Sequence, residues 1–74
     1  MTKRAAEIEQ ARLLKSLRVC HGKTQQEIAN HLGVKRTSYV QMENAKRKCF
    51  ALELKAICDY FAVSYKSMFV GYGG

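Results

Sequence analysis

Apolar residues recur along this chain every three or four positions and almost never every second one. That spacing predicts amphipathic helices, and no segment alternates for long enough to predict a strand. Ile8, Ala11, Leu14 and Leu17 form a stripe that predicts a first helix from about residue 4 to Cys20, stopped by Gly22 in the left-handed cap position. Thr24-Gln25-Gln26-Glu27 has the form of a capping box, in which hydroxyl and carboxylate each accept from an otherwise unpaired backbone amide. It opens a short second helix that would bury Ile28, Ala29 and Leu32 before Gly33 ends it. A third helix is expected from near Lys35 to about Asn44. After the basic turn Lys46-Arg47-Lys48, a fourth would carry Phe50, Leu54, Ile57, Cys58 and Phe61 inward. A brief last helix, capped by Ser64, would present Met68 and Phe69 ahead of Gly71.

Seventy-four residues suffice for one domain with a modest core, and 47% hydrophobic with 26% charged residues is ordinary globular composition. We expect an all-α domain over residues 6–70, a flexible basic N-terminal arm at 1–5 and a flexible Gly-rich tail at 71–74. No apolar run approaches the length of a membrane span. The basic N-terminus lacks a following hydrophobic signal region, so the expected location is cytoplasmic. Cys20, Cys49 and Cys58 are odd in number and far apart, which fits reduced thiols better than a disulfide framework. With His21 and His31 they show no metal-ligand spacing, so neither a metal nor another cofactor is expected. Both histidines are expected to face solvent. Paired carboxylates, a Ser/His/Asp set and a phosphate loop are all missing, which argues against an enzyme.

Charge changes the picture. Lys and Arg number 13 against 6 for Asp and Glu, a net +7, and residues 49–74 contribute none of the excess. A one-sided basic distribution of this kind is the footprint of a polyanion binder.

Two short helices joined by a four-residue link containing Gly33 form a helix-turn-helix signature. Ala29 is small where the helices cross, and Ile28, Leu32, Val34 and Met42 supply their shared core. The anchors Leu17-Arg18, Gly22, Thr24-Gln25-x-Glu27-x-Ala29, Leu32-Gly33-Val34, Glu43-Asn44 and Phe61-x-Val63-Ser64 stand in order. In them the chain resembles the lambda-repressor-like (Cro/CI or XRE) DNA-binding domains over roughly residues 12–69. The resemblance implies a compact five-helix domain with its helix-turn-helix at about residues 24–44. It also implies a third helix lying in the major groove, and homodimers on pseudo-palindromic operators.

Helical geometry supports the same division of the third helix. At about 100° per residue, Arg36, Thr37, Val40 and Gln41 share one face while Tyr39 and Met42 turn to the core. Arg36 suits guanine O6 and N7, Gln41 suits adenine N6 and N7, and the methyls of Val40 and Thr37 suit a thymine methyl. Phosphate contacts are expected from Gln25, where helix amides and dipole favour an anion, and from Lys35, Ser38, Lys46, Arg47 and Lys48. The resemblance further implies that Arg18, ending the first helix, pairs with Glu43, ending the third; Arg18 also has the reach of a phosphate donor.

The chain departs from the family pattern in places. Ala45 stands where glycine usually ends the third helix, so Asn44 or Ala45 must take the left-handed turn at a cost of about 1 kcal/mol. Tyr39 replaces an aliphatic residue, and its hydroxyl needs a partner. Cys49 is either inert filler or, in basic surroundings, a reactive thiolate.

The expected function is a sequence-specific regulator of transcription, most plausibly a repressor of the phage Cro-like or restriction-modification controller type, bound to double-stranded DNA. A homodimer would form through the apolar surplus of Tyr65, Met68, Phe69, Val70 and Tyr72. The alternative is an antitoxin-like module that neutralises a partner protein and autoregulates its operon. Its protein partner would be a toxin or a polymerase.

Overall fold

The computed structural model describes the backbone of residues 2–68 and the side chains of residues 2–66. The described residues are all-α: α1 (Lys3–Cys20), α2 (Gln25–Leu32), α3 (Arg36–Glu43), α4 (Ala51–Phe61) and a single 3-10 turn, Tyr65–Met68. The fifth helix expected from the sequence is therefore corrected to one 3-10 turn, since so short a run closes i to i+3 bonds instead of propagating. Of the residues expected at a dimer interface, Tyr65 is half-buried against the core. The Met68 side chain and Phe69, Val70 and Tyr72 lie outside the described residues.

Lys3, Arg4 and Ala5, expected in a basic arm, instead form the first turn of α1, where the Thr2 hydroxyl accepts from the Ala5 amide at 3.1 Å. The capping box of α2 is complete. Thr24 Oγ1 accepts from the Glu27 amide and Glu27 Oε1 accepts from the Thr24 amide, both at 3.1 Å. These bonds hold the Glu27 carboxyl below its ordinary pKa.

All four α-helices end in the same way. In each, a left-handed residue donates back three positions and its successor donates back five, as with Gly33 to Asn30 and Val34 to Ala29. The left-handed residue is Gly22, Gly33, Ala45 or Ala62. Glycine takes that conformation without penalty, whereas Ala45 and Ala62, both at φ 56°, carry a Cβ into it. So Ala45, and not Asn44, makes the left-handed turn after α3.

The core joins all four helices through Leu14, Ile28, Ala29, Tyr39, Met42, Leu54, Ile57, Cys58 and Phe61. Leu17, Leu32 and Val34 are half-buried against it, and two expected members, Ile8 and Phe50, are exposed. Ile8 is 42% exposed because a series of three-residue steps falls about 60° short of a full turn each time, which carries it away from Leu14. Phe50 is 56% exposed because it caps α4 from outside the helix, in extended conformation.

Candidate nucleic-acid interface

α2 and α3 are joined by Gly33, Val34 and Lys35, a link one residue shorter than expected. Ala29 is completely buried in the core that α2 and α3 share. α3 is thereby held with two unlike faces. Tyr39, Met42 and Glu43 are buried, while Arg36, Thr37 and Gln41 are exposed and Val40 is half-buried.

The inner face is fixed by an ion pair. Arg18 Nε donates to Glu43 Oε2 at 2.6 Å and Nη2 donates to Oε1 at 3.3 Å, while Nη1 donates to the Lys23 carbonyl at 2.8 Å. The two side chains are only 13% and 2% exposed. Burial pushes the Glu43 carboxyl up, but hydrogen bonds from Arg18 and Gln25 and the charge of Arg18 prevail and hold it below its ordinary value. The same bond to Glu43 strengthens the Arg18 guanidinium as a cation against its own desolvation. Tyr39 is fully buried with its hydroxyl beside Glu43, and no described residue meets that hydroxyl in good hydrogen-bond geometry. Burial, then the neighbouring Glu43, pushes its pKa up and keeps it neutral.

Gln25 connects the inner pair to the outer face. Its Nε2 donates to Glu43 Oε1 at 3.2 Å, and its Oε1 accepts from Arg36 Nη2 at a long 3.4 Å. The side chain expected to meet a phosphate is thus engaged internally, though Gln25 still opens α2. This double engagement was not foreseen in the sequence. No sequence signal marks it, since Gln25 lies eleven positions from Arg36 and eighteen from Glu43.

The remaining cations divide. Lys35, Lys46 and Lys48 are exposed, and Ser38 is half-buried. Arg47, also expected on phosphate, is held by Glu53 with Nη2 to Oε2 at 3.3 Å and lies 6.0 Å over the Phe50 ring. Glu53 also accepts from the Phe50 amide at 3.1 Å, so one carboxylate caps α4 and pins the loop before it. Sequence inspection passed over this because position 50 carries no hydroxyl to complete a capping box.

Cys49 is half-buried beside Arg47 and Glu53. Burial, then the Glu53 carboxylate, pushes its pKa up to about 12, against the lowering by Arg47. Burial first and Glu53 second thus outweigh the basic surroundings, which favours the inert reading of Cys49. His21 and His31 are exposed but lie tilted against aromatic rings, Phe61 at 4.4 Å and Tyr60 at 4.3 Å between centroids. Among the described residues, no group of three His, Cys, Asp or Glu side chains is placed to hold a metal ion. No described helix is long and apolar enough to cross a membrane.

A family model for the helix-turn-helix domain matches residues 11–74. The chain belongs to that family. The match takes in the second half of α1 and everything after it, including the ion pair, the link and both faces of α3. Membership of the helix-turn-helix family places the chain among DNA-binding regulators, in agreement with the Cro/CI-like resemblance of its motifs. No curated protein sequence matches it significantly.

Proposed function

We propose that the chain is a sequence-specific, double-stranded DNA-binding regulator of transcription, a repressor that places α3 in the major groove and performs no catalysis. One observation carries this most directly: Arg36, Thr37 and Gln41 are exposed on a helix whose opposite face is buried and ion-paired. A helix that reads bases needs that rigid backing and that outward chemistry together. Arg36 would reach guanine and Gln41 adenine, with Thr37 and Val40 against thymine methyls. Lys35, Ser38, Lys46 and Lys48 would meet phosphates on either side, with the α2 amides at Gln25. Arg47 would contribute by fixing the loop that presents its neighbours.

A pseudo-palindromic operator and a homodimer complete the proposal, with Tyr65, Met68, Phe69, Val70 and Tyr72 as the apolar partner surface. Selection of bound fragments from a random duplex pool tests it. Recovery of one motif with two-fold related halves supports sequence-specific dimer binding; a pool that stays random contradicts it. Light scattering over a concentration range tests the dimer separately, and a monomer at tens of micromolar would remove that element.

A further inference from the structure

We infer that Arg4 is a positioning residue for the DNA contact: from α1 it clamps the turn that follows α3 and holds Lys46 where a phosphate can meet it, without touching the duplex itself. Arg4 Nη1 donates to the Ala45 carbonyl at 2.6 Å, a contact that spans 41 positions of the chain. Arg4 stands ahead of residues 11–74, so the contact is no part of the family match.

The charges of the two helix ends favour this contact. The first turn of α1 carries no acidic residue and holds Lys3 and Arg4, although the amide end of a helix disfavours cations. The last turn of α3 carries no basic residue, although its carbonyl end favours one. Arg4 reaches across and sets its charge just past that carbonyl end, supplying the cation that α3 lacks. The backbone that carries it is itself fixed, because the Thr2 hydroxyl caps the start of α1.

The turn is one that needs holding. Ala45 is left-handed at φ 56°, a conformation that costs any residue with a Cβ. The Lys46 amide closes the turn by donating to the Gln41 carbonyl at 2.8 Å. Beyond it, Glu53 holds Arg47. Lys46 therefore stands between two anchors, exposed and in no ion pair among the described residues. A cation on a loose loop must be ordered when it binds, whereas one on a pinned loop has met that cost in folding. The Arg4 side chain is itself 61% exposed, so its loss takes nothing from the core and falls on the loop. The link to DNA rests on the function proposed above; the clamp does not.

Hydrogen exchange at the Lys46 amide, without DNA, tests the clamp. Arg4→Ala is expected to speed that exchange about fivefold. Arg4→Lys, which keeps the charge and a donor, should recover most of the protection. Lys3→Ala removes the same charge one residue away and should change nothing there. Unchanged exchange in Arg4→Ala, an equal effect of Lys3→Ala, or loss of protection throughout α3 would overturn the clamp.

Duplex binding tests the positioning. Arg4→Ala is expected to weaken every duplex about fivefold with the slope of log affinity on log salt unchanged. Added to Lys46→Ala, it should cost almost nothing more, since the group it acts through is gone. A slope lowered by about 1 would make Arg4 a phosphate contact in its own right. Full additivity would separate it from Lys46. Either result overturns the positioning role, as does faster exchange at Lys46 with DNA affinity unchanged. A wild-type chain that binds no duplex overturns the regulator and the link to DNA together, while the exchange result still decides the clamp.

Discussion

The two faces of α3 come from the same eight residues and live under opposite conditions. On the inner face Tyr39 and Met42 are dry, and Glu43 accepts hydrogen bonds from both Arg18 and Gln25. On the outer face Thr37 and Gln41 are exposed, and Arg36 holds, among the described residues, only the long contact to Gln25. A group with a full set of buried partners cannot turn to a new ligand without breaking them. An exposed group with a weak partner is able to exchange it for a base edge. Stability and recognition are thus separated by half a turn of one short helix, and substitutions on one face should move one property without the other.

The largest effect belongs to the inner face. Glu43→Ala leaves Arg18 without its carboxylate in a largely buried position and is expected to cost about 3–5 kcal/mol in urea unfolding. A loss near zero would show that the pair is not desolvated and that the two faces are alike. Acid should act on the same group. Because the folded-state pKa of Glu43 lies below its ordinary 4.5, its contribution is present above that pH and fades as pH falls through the lower folded value. Thermal unfolding measured from neutral pH downward should show that decline, and Glu43→Ala should flatten it.

On the outer face, Arg36→Ala is expected to cost about 1–3 kcal/mol on the selected operator and to relax preference at one base pair. The unfolding midpoint should not move. Should Arg36→Ala destabilise the fold as much as it weakens DNA binding, the separation of faces fails.

The sequence made the inner face and the helix ends legible for a physical reason. Burial repeats at helical spacing, and capping requires particular residue types at fixed offsets, so Leu14, Ile28, Met42 and the Thr24–Glu27 box could be read directly. The ion pair of Arg18 and Glu43 was expected only through the family resemblance, since its partners are 25 positions apart. Contacts between loops and helix starts were not legible. Arg47 counted as one more basic residue until Glu53 was seen to take it, and Cys49 as a thiol among cations until burial outweighed them. Ile8 failed because three-residue steps drift round the helix, and Phe50 because it stands just before α4 begins. The outer face was legible as exposed polar chemistry, but the engagement of Gln25 with both Glu43 and Arg36 depends on three-dimensional proximity alone.

Two smaller effects sharpen the comparison. Lys46→Ala lies beyond both faces and should weaken every duplex alike, lowering the magnitude of the log affinity–log salt slope by about 1. A loss confined to the operator would instead make Lys46 a base reader. Ala45→Gly relieves a left-handed Cβ at the end of α3 and is expected to raise stability by about 0.5–1 kcal/mol. Operator selectivity should be unaffected, as checked by competition between operator and random duplex.

Chemical-shift mapping of the chain with its selected duplex tests the central claim most directly. The account predicts the largest changes at Arg36, Thr37 and Gln41, lesser ones at Gln25, Lys35, Lys46 and Lys48, and little at Tyr39 and Met42. Saturable binding with the outer face of α3 unperturbed would contradict it.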